Sequence, residues 1–309
     1  MIDKTLPTIS HIYQHHHLDS TQWDAFRPRE GDVIVATSIK SGTTWMQWIV
    51  LKLLLPEQDP KSVRDISPWL DERMPNPSDV IEVLEAQKHR RSIKTHLPLD
   101  GLPYFPQVRY IVIGRDGRDV AMSLWNHYGN YTDHFYDFLN THDGPAFPRC
   151  PETFQQFWKD WITKGWFDWE QDGYPFWSHL HFIQSWWDFR HLPNILLVHF
   201  ADLLTDLEGE IQRVAEHIGV SLSATRRAEI AREVSFDTMK KDPEKYACVT
   251  RKNFRGGGDA FFNKGKNSYW KDVLTEPEIA QYEAAVVRVL SPDCARWLEH
   301  GGNASIESA

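Results

Sequence analysis

Cysteine is scarce in this 309-residue chain, and Cys150, Cys248 and Cys294 are far apart in it. Three scattered cysteines are too few for a disulfide framework or for a zinc site built on cysteines. Acidic residues outnumber basic ones by 43 to 34, and the net charge of −9 disfavours a general binder of nucleic acid or anionic membranes. The most apolar run, residues 45–55, is about half as long as a bilayer requires. Because no secretory signal segment is visible either, we expect a cytoplasmic protein without a membrane span.

Patterns typical of buried strands recur along the chain and alternate with helical ones. The composition, 41% hydrophobic and 25% charged residues, is that of a globular protein. Helical spacing of apolar residues occurs over 45–55, through Val120 and Leu124, and over about 205–219. Short apolar runs predict parallel strands over 32–37, 91–95, 109–114 and 194–200. We therefore predict an α/β fold, a central parallel sheet flanked by helices, in one domain over residues 1–309.

The middle of the chain, about residues 130–187, is dense in tryptophan, phenylalanine, tyrosine and histidine. The whole chain has 14 tryptophans and 13% aromatic residues. We expect an aromatic-rich insertion of helices and loops here, with Trp186 and Trp187 on a helix and one of them in the core. A lid or acceptor pocket and plain packing are both compatible with this composition.

Residues 40–45, Lys-Ser-Gly-Thr-Thr-Trp, form a polar loop between a predicted strand and a predicted helix. Free backbone N–H groups and the positive end of the helix dipole favour a phosphate at such a place. Gly42 lets the backbone approach a ligand and Lys40 adds a positive charge, while two threonine hydroxyls supply further donors. The alternative is an ordinary turn in which Ser41 or Thr43 caps the helix. Because Lys40 precedes the glycine, the loop is not the Walker A pattern of Mg-triphosphate enzymes.

These six residues resemble the first signature of the cytosolic-type sulfotransferases, enzymes that use 3′-phosphoadenosine 5′-phosphosulfate (PAPS). The family's Lys-Ser-Gly-Thr-Thr-Trp is unchanged here, whereas Ser38-Ile39 replaces the usual Tyr-Pro before it. The resemblance covers about residues 30–275 and implies a P-loop-like three-layer fold. It implies PAPS as co-substrate and 3′,5′-ADP (PAP) as product. It also implies that the 5′-phosphosulfate is bound by Lys40, Ser41, Gly42, Thr43, Thr44 and Trp45.

Two further segments are similar to the family's nucleotide-binding motifs. Arg115 follows the third predicted strand, and Ser123 stands eight residues later, the family's spacing for binding the 3′-phosphate and setting the donor's register. Eight residues are about two helical turns. Residues 261–265, Phe-Phe-Asn-Lys-Gly, match the third motif, but Asn263 stands where the family has arginine. The resemblance adds these nucleotide-binding residues: Asn263, Lys264, Gly265, Phe236, Met239, and Phe200 in place of an adenine-contacting tyrosine.

Basic residues are concentrated between positions 251 and 271 of this acidic chain. Six lysines or arginines occur there against one acidic residue, together with three consecutive glycines at 256–258. Such a stretch is typical of a flexible flap that closes on an anion, although a solvated loop has the same composition. We predict a nucleotide-closing flap over about 250–271.

Residues 94–98, Lys-Thr-His-Leu-Pro, match the family's Lys-x-His-Leu-Pro at the end of a predicted strand. The resemblance implies that His96 is the general base that takes the acceptor's proton. It implies that Lys40 stabilises the leaving phosphate oxygen, and that Lys94 positions the acceptor or the sulfuryl group. We expect no metal, and we interpret His15-His-His17 as a surface run near the terminus.

The reaction implied is sulfuryl transfer to a small-molecule or lipid-like hydroxyl acceptor of apolar or aromatic character. The sequence leaves a phenol, an alcohol, a lipid, a sugar and an amine open, and it leaves a homodimer possible. Two other classes stay open: a P-loop-like kinase that needs Mg-ATP, and a non-catalytic protein that binds PAPS or PAP. A variant reaction, in which sulfation drives elimination of water from the acceptor, also stays open.

Overall fold

A central four-stranded parallel sheet forms the middle of the molecule. The computed structural model describes residues 6–73, 77–141, 144–262, 265–302 and 304. The strands lie in the order β2-β1-β3-β4 and all pairs are parallel. Their bounds are β1 Val33–Thr37, β2 Ser92–Thr95, β3 Arg109–Gly114 and β4 Ile195–His199. The four strands predicted from apolar runs are confirmed, with bounds that differ by one residue at most at either end.

Helices connect the strands and follow the last of them. Short 3₁₀-helices span Ser20–Ala25, Leu99–Gly101 and Tyr269–Asp272. The α-helices are α1 Thr43–Leu54, α2 Val63–Ile66, α3 Pro77–Ala86, α4 Gly117–Gly129, α5 Asp133–Leu139, α6 Phe154–Thr163, α7 His179–Trp187, α8 Phe200–Thr205, α9 Leu207–His217, α10 Ala224–Glu233, α11 Phe236–Lys241, α12 Pro243–Tyr246, α13 Gly257–Phe261, α14 Glu276–Val289 and α15 Pro292–His300. The helix predicted over about 205–219 corresponds to α9.

Each face of the sheet has its own apolar core because successive strand residues point to opposite sides. The face that carries Val35 and Ile113 packs against α1, α9 and α10. The opposite face, with Ile34 and Val112, packs against α4, α7, α14 and α15. Helices thus cover both faces of a parallel sheet, and the predicted three-layer α/β fold is confirmed.

The aromatic segment at about 130–187 is mostly core. It contains α5, α6 and α7, and Trp158, Trp161 and Trp177 are each no more than 1% exposed. Trp186 and Trp187 lie on α7 as predicted, and both of them are buried. Packing therefore accounts for most of the aromatic residues of this segment.

The histidine run at 15–17 lies inside the molecule, so its interpretation as a surface run is wrong. His15, His16 and His17 are at most 5% exposed. The Nε2–H of His15 donates to the Pro175 carbonyl at 2.8 Å, and His16 Nδ1 donates to that of Leu139 at 2.7 Å. His15 and His16 are buried here because carbonyls more than 100 residues away satisfy their N–H groups, and His17 Nε2 lies 3.2 Å from the Tyr131 hydroxyl.

Among the residues that the structure describes, no helix is both long enough and apolar enough to cross a bilayer.

Candidate active site

A cavity of about 480 Å³ lies where the strands end at their carboxyl termini. Ligands of open α/β sheets bind in this position. The cavity brings together residues of all three predicted motifs and of the predicted base segment. Of the predicted site residues, it is lined by Lys40, Gly42, Thr43, Thr44, Trp45, Lys94, His96, Arg115, Ser123, Phe200, Phe236, Met239 and Gly265. Asn263 and Lys264 lie outside the described residues.

The loop between β1 and α1 presents an open helix N-terminus to the cavity. Gly42 is the N-cap residue, at φ 107°, and no described side chain caps the helix there. The hydroxyl of Ser41 contacts that of Ser38 at 2.7 Å, and Thr43 Oγ1 lies 2.5 Å from Thr37 Oγ1. The alternative of an ordinary capped turn is therefore wrong. An uncapped helix N-terminus of this kind favours an anion beside its first N–H groups.

A chain of hydrogen bonds fixes this loop against the next strand. His179 Nε2–H donates to the Arg115 carbonyl at 3.0 Å, so its Nδ1 must accept the Ser38 hydroxyl proton at 2.6 Å. Ser38 in turn accepts from Ser41. Ser41 is fully buried and does not line the cavity, so its side chain supports the loop from behind. Burial lowers the pKa of His179 to about 4, which keeps the imidazole neutral in this role.

Gly42 is required by a close contact as well as by its backbone angle. A Cβ atom at this position would lie 2.9 Å from Cδ2 of Phe200, the first residue of α8. On its other side the Phe200 ring contacts the Arg115 guanidinium, whose carbon lies 4.1 Å from the ring centroid. Phe200 therefore links the phosphate loop, the end of β4 and Arg115.

Arg115 joins two of the predicted motifs. Its guanidinium donates to the Lys40 carbonyl at 3.1 Å, to the Lys266 carbonyl at 3.1 Å and to Asn267 Oδ1 at 3.2 Å. Burial lowers its pKa to about 10, so the group stays charged at neutral pH. Asp119, one helical turn further on, accepts the Ser268 N–H at 2.8 Å. The described part of the predicted flap is thus held to the start of α4.

The remaining nucleotide-motif residues surround the same end of the cavity. Ser123 faces the cavity from α4, and Phe236 and Met239 face it from α11. Gly265 has a φ of 60°, and a Cβ there would lie 2.4 Å from the ring of Phe236. A bare backbone at Gly265 therefore packs directly on the Phe236 ring.

His96 is held in one orientation and one tautomer. Its Nδ1 lies 2.7 Å from the carbonyl oxygen of Thr37, which can only accept, so Nδ1 carries the proton. Nε2 is then the unprotonated nitrogen. Burial, reinforced by the positive charge of Lys94, lowers the pKa of His96 well below its ordinary range. A neutral imidazole with a free Nε2 beside a cavity is equipped to accept a proton.

Two desolvated lysines flank His96. The Lys40 ammonium lies 4.1 Å from the ring centroid of Phe261, and the Lys94 ammonium lies 4.2 Å from that of Trp69. Burial lowers the pKa of Lys40 to about 8 and also lowers that of Lys94. Together with Arg115 these lysines make the cavity positively charged within an acidic chain. Such a site attracts anions.

Lys40 itself has an uncommon backbone conformation. Its φ is 66°, in the left-handed region that residues with a Cβ rarely adopt. Strain of this kind is found where the surrounding structure holds a residue for its function.

Part of the cavity wall was not predicted from the sequence. It includes charged and polar residues such as Arg64, Glu72 and Asn253. The apolar and aromatic residues, two imidazoles and a thiol in it include His17, Trp69, Met122, His127, Tyr131, Phe135, Cys248 and Phe254. From the aromatic segment, only Tyr131 and Phe135 are among them. Asp71, two residues after Trp69, connects Trp69 to the base segment. Its carboxylate accepts the Trp69 indole N–H at 2.6 Å and the His96 backbone N–H at 3.3 Å.

Comparison with known proteins gives the same picture. A family model described as "Sulfotransferase domain" matches residues 30–291. The glycolipid sulfotransferase of Mycobacterium tuberculosis is 31% identical over 310 residues, which is 94% of each chain. Sulfotransferase 1A1 of Bos taurus is 29% identical and covers 84% of each chain.

Solved structures share the fold at lower identity. Mouse sulfotransferase SULT7A1 complexed with PAP superimposes with a TM-score of 0.67 at 23% identity, over 90% of each chain. Retinol dehydratase in a complex with retinol and PAP gives a TM-score of 0.66 at 23% identity, over 88% of this chain and 84% of that one. The matches in sequence over nearly the whole length, and the three-layer fold with its positively charged cavity, place this chain in the sulfotransferase family: the protein is a sulfotransferase.

Proposed function

We propose that this enzyme transfers the sulfuryl group of PAPS to a hydroxyl of a lipid-like acceptor, with His96 as the general base. The observation that carries the proposal is the bond from His96 Nδ1–H to the Thr37 carbonyl, which leaves an unprotonated Nε2 beside two half-buried lysines. The acceptor oxygen attacks sulfur and its proton passes to His96 Nε2. The bond from sulfur to the bridging oxygen breaks, and its electron pair leaves with PAP.

The two lysines have different tasks in this proposal. Lys40 follows β1 in the phosphate loop, so its ammonium stabilises the charge that develops on the departing phosphate oxygen. Lys94 lies on β2 two residues before His96 and holds the sulfuryl group or the acceptor in line. Because both ammonium groups are desolvated, their electrostatic effect on a transferring group is stronger than in water.

The open N-terminus of α1 binds the 5′-phosphosulfate, and Arg115 and Ser123 bind the 3′-phosphate. Arg115 uses three of its five N–H donors on the protein, which fixes the guanidinium and leaves further donors for a ligand. Phe200 and Phe236 offer ring faces to the adenine. The PAP complexes of the structurally similar mouse sulfotransferase and of retinol dehydratase support the same nucleotide here.

The acceptor lies against the wall formed by Trp69, Tyr131, Phe135 and Phe254. This wall is aromatic. The Trp69 ring packs edge-on against His96 with centroids 4.7 Å apart, and the rings of Tyr131 and Phe135 contact His17. The glycolipid sulfotransferase of M. tuberculosis supports an acceptor that joins an apolar chain to a hydroxyl-bearing headgroup.

The test separates binding from chemistry by means of His96→Asn. The shorter amide keeps a donor near the Thr37 carbonyl but deletes Nε2. We expect turnover with labelled PAPS and a panel of glycolipid and phenolic acceptors to fall by about 10²–10⁴. Affinity for PAP, measured by calorimetry, should stay unchanged. His134→Ala, at an exposed histidine, is the matched control.

Retained turnover in His96→Asn would refute the assignment of the base. A preference of the wild-type protein for Mg-ATP over PAP would refute the proposed donor. Product mass distinguishes a sulfate ester from a dehydrated acceptor and free sulfate.

A further inference from the structure

Outside the cavity, two histidines and an aspartate from distant parts of the chain come together. His11 Nδ1 lies 2.8 Å from Asp100 Oδ2, and His181 Nε2 lies 2.9 Å from the same oxygen. One ligand atom from each residue lies within 4.8 Å of the other two. The residues belong to the N-terminal segment, to the 3₁₀-helix Leu99–Gly101 and to α7. No sequence motif connects them, so the cluster exists only in the folded chain.

We propose that His11, Asp100 and His181 form a binding site for a divalent transition-metal ion of the Zn²⁺ type. Two imidazole nitrogens and one carboxylate oxygen are ligands that Zn²⁺ prefers, and three protein ligands leave a fourth position for water. The side chains of His11 and His181 are each 31% exposed and that of Asp100 is 18% exposed. An ion can therefore enter from solvent. The sulfotransferase chemistry proposed above does not depend on this site.

Only a small movement converts the hydrogen-bonded cluster into a metal site. At present the Nδ1–H of His11 and the Nε2–H of His181 each donate to Asp100 Oδ2, at 2.8 and 2.9 Å. Tetrahedral bonds of about 2.0–2.1 Å place two ligand atoms about 3.3 Å apart. The two N···O distances must lengthen by about half an ångström, and the two imidazole nitrogens, which lie within 4.8 Å of each other, must come to about the same separation. Each neutral imidazole then moves its proton to the opposite ring nitrogen, Nε2 of His11 and Nδ1 of His181.

The surroundings hold the ligands in place and favour a cation. The Tyr13 hydroxyl donates to Asp100 Oδ1 at 3.0 Å, which leaves Oδ2 for the ion. The Trp169 ring stacks on His11 with centroids 4.4 Å apart. Such outer contacts orient metal ligands.

Two buried carboxyl groups, those of Glu170 and Asp172, lie near the cluster, and burial raises the pKa of both. Glu170 interacts electrostatically with Tyr13 and Asp100, and Asp172 does so with His181. Glu170 Oε2 is buried, and among the described residues it has no hydrogen-bond partner. A cation at the cluster favours the ionised forms of these carboxyl groups, which burial alone disfavours.

The position of the cluster gives the ion a structural role. Asp100 follows His96 by four residues, and the backbone N–H of Ser10 donates to the Asp100 carbonyl at 2.8 Å. A bound ion ties the N-terminal segment, the base segment and α7 together. We therefore expect the ion to raise the melting temperature of the protein.

The experiment uses the full chain, with any affinity tag removed and metals stripped by a chelator. Zn²⁺ affinity is measured by competition with a chromophoric chelator, and Co²⁺ serves as the spectroscopic probe. The wild-type protein should bind one ion, and its melting temperature should rise when Zn²⁺ is added. Its Co²⁺ complex should show a spectrum without a thiolate charge-transfer band. His181→Ala and Asp100→Asn should weaken binding more than about tenfold. His134→Ala, at an exposed histidine outside the cluster, should bind like wild type.

Three results would overturn the proposal: no stoichiometric ion in the wild type, unchanged affinity in both variants, or a thiolate band that points to a cysteine site. Asp100→Asn keeps an oxygen acceptor for the two histidines, so it tests the ligand set even if His181→Ala does not fold.

Discussion

Replacing Lys40 by methionine should make the protein more stable and less active. The side chain has nearly the same length, and the backbone keeps its φ of 66°. What changes is the ammonium, which is desolvated and near the positive charges of Arg115 and Lys94. The perturbation therefore isolates the electrostatic cost of holding a charge in the phosphate loop.

The size of the effect follows from the pKa. A fall from 10.5 to about 8 corresponds to about 3 kcal/mol, as an upper bound because Lys40 is partly exposed. The contact of the ammonium with the Phe261 ring is lost, which offsets about 1 kcal/mol. We expect Lys40→Met to raise the free energy of unfolding at pH 7 by about 1–2 kcal/mol. Turnover should fall by about 10²–10³.

The pH dependence has a definite sign. Below pH 8 Lys40 is protonated in both the folded and the unfolded chain, so the penalty on the folded wild type is complete. Between pH 8 and 10.5 the unfolded chain binds more protons, and the wild type gains stability relative to the variant as pH rises. The stabilising effect of Lys40→Met should therefore shrink through this window and vanish above it.

Urea denaturation at several pH values, followed by tryptophan fluorescence, measures this difference. Lys88→Met removes an exposed lysine and should change stability little at any pH, so it is the matched control. A Lys40→Met protein that is less stable than wild type at pH 7, or a difference that does not change with pH, would refute the reasoning.

Three further predictions concern the frame of the cavity. Arg115→Ala should weaken the binding of 3′,5′-ADP by more than about 10² but that of 5′-AMP only slightly, because only 3′,5′-ADP has a 3′-phosphate. Equal losses of the two affinities in calorimetry would contradict this role. Gly42→Ala should destabilise the protein by about 1–3 kcal/mol more than Gly219→Ala, because Gly219 also has a positive φ but has open space around it. Equal losses of stability on chemical denaturation would mean that the Phe200 ring moves to make room. Asp71→Ala removes the carboxylate that accepts the indole N–H groups of Trp23 and Trp69 and the backbone N–H of His96. It should lower kcat more than PAP affinity in steady-state and binding assays, and a change in PAP affinity alone would contradict this.

The strands and the loop between β1 and α1 were predictable because their signals are local. In a run such as residues 109–114, successive residues after Arg109 are apolar or glycine, so both faces of the strand are apolar. This pattern is typical of a strand that is buried on both faces. The loop at 40–45 joins strand to helix within six residues, and His96 stands directly after β2. The sheet then brings these segments together, since parallel strands end at one edge. How the site residues act on substrates, the single-domain organisation and a homodimer stay predictions.

The acceptor wall and the histidine run were not predictable in this way. Trp69, His17 and Phe254 line the cavity through tertiary contacts between segments up to 237 positions apart in the chain. His16 looks like a surface residue in sequence, and only the carbonyls of Leu139 and Pro145 make its burial possible. Polar residues of this kind depend on partners that local patterns do not reveal.

The carboxyl-terminal edge of the sheet fixes the positions of some cavity residues, whereas other cavity residues lie outside the sheet. Lys40, His96 and Arg115 leave three adjacent strands whose spacing, about 4.8 Å, is fixed by backbone hydrogen bonds. Tyr131, Phe135 and Phe254 come from segments outside the sheet, whereas a β-bridge to Lys94 holds Trp69 beside β2. Under the proposed mechanism, substitution of these wall residues should alter which acceptor binds while Lys40, His96 and Arg115 keep their places. A library intended to change the acceptor should therefore be restricted to Trp69, Tyr131, Phe135 and Phe254.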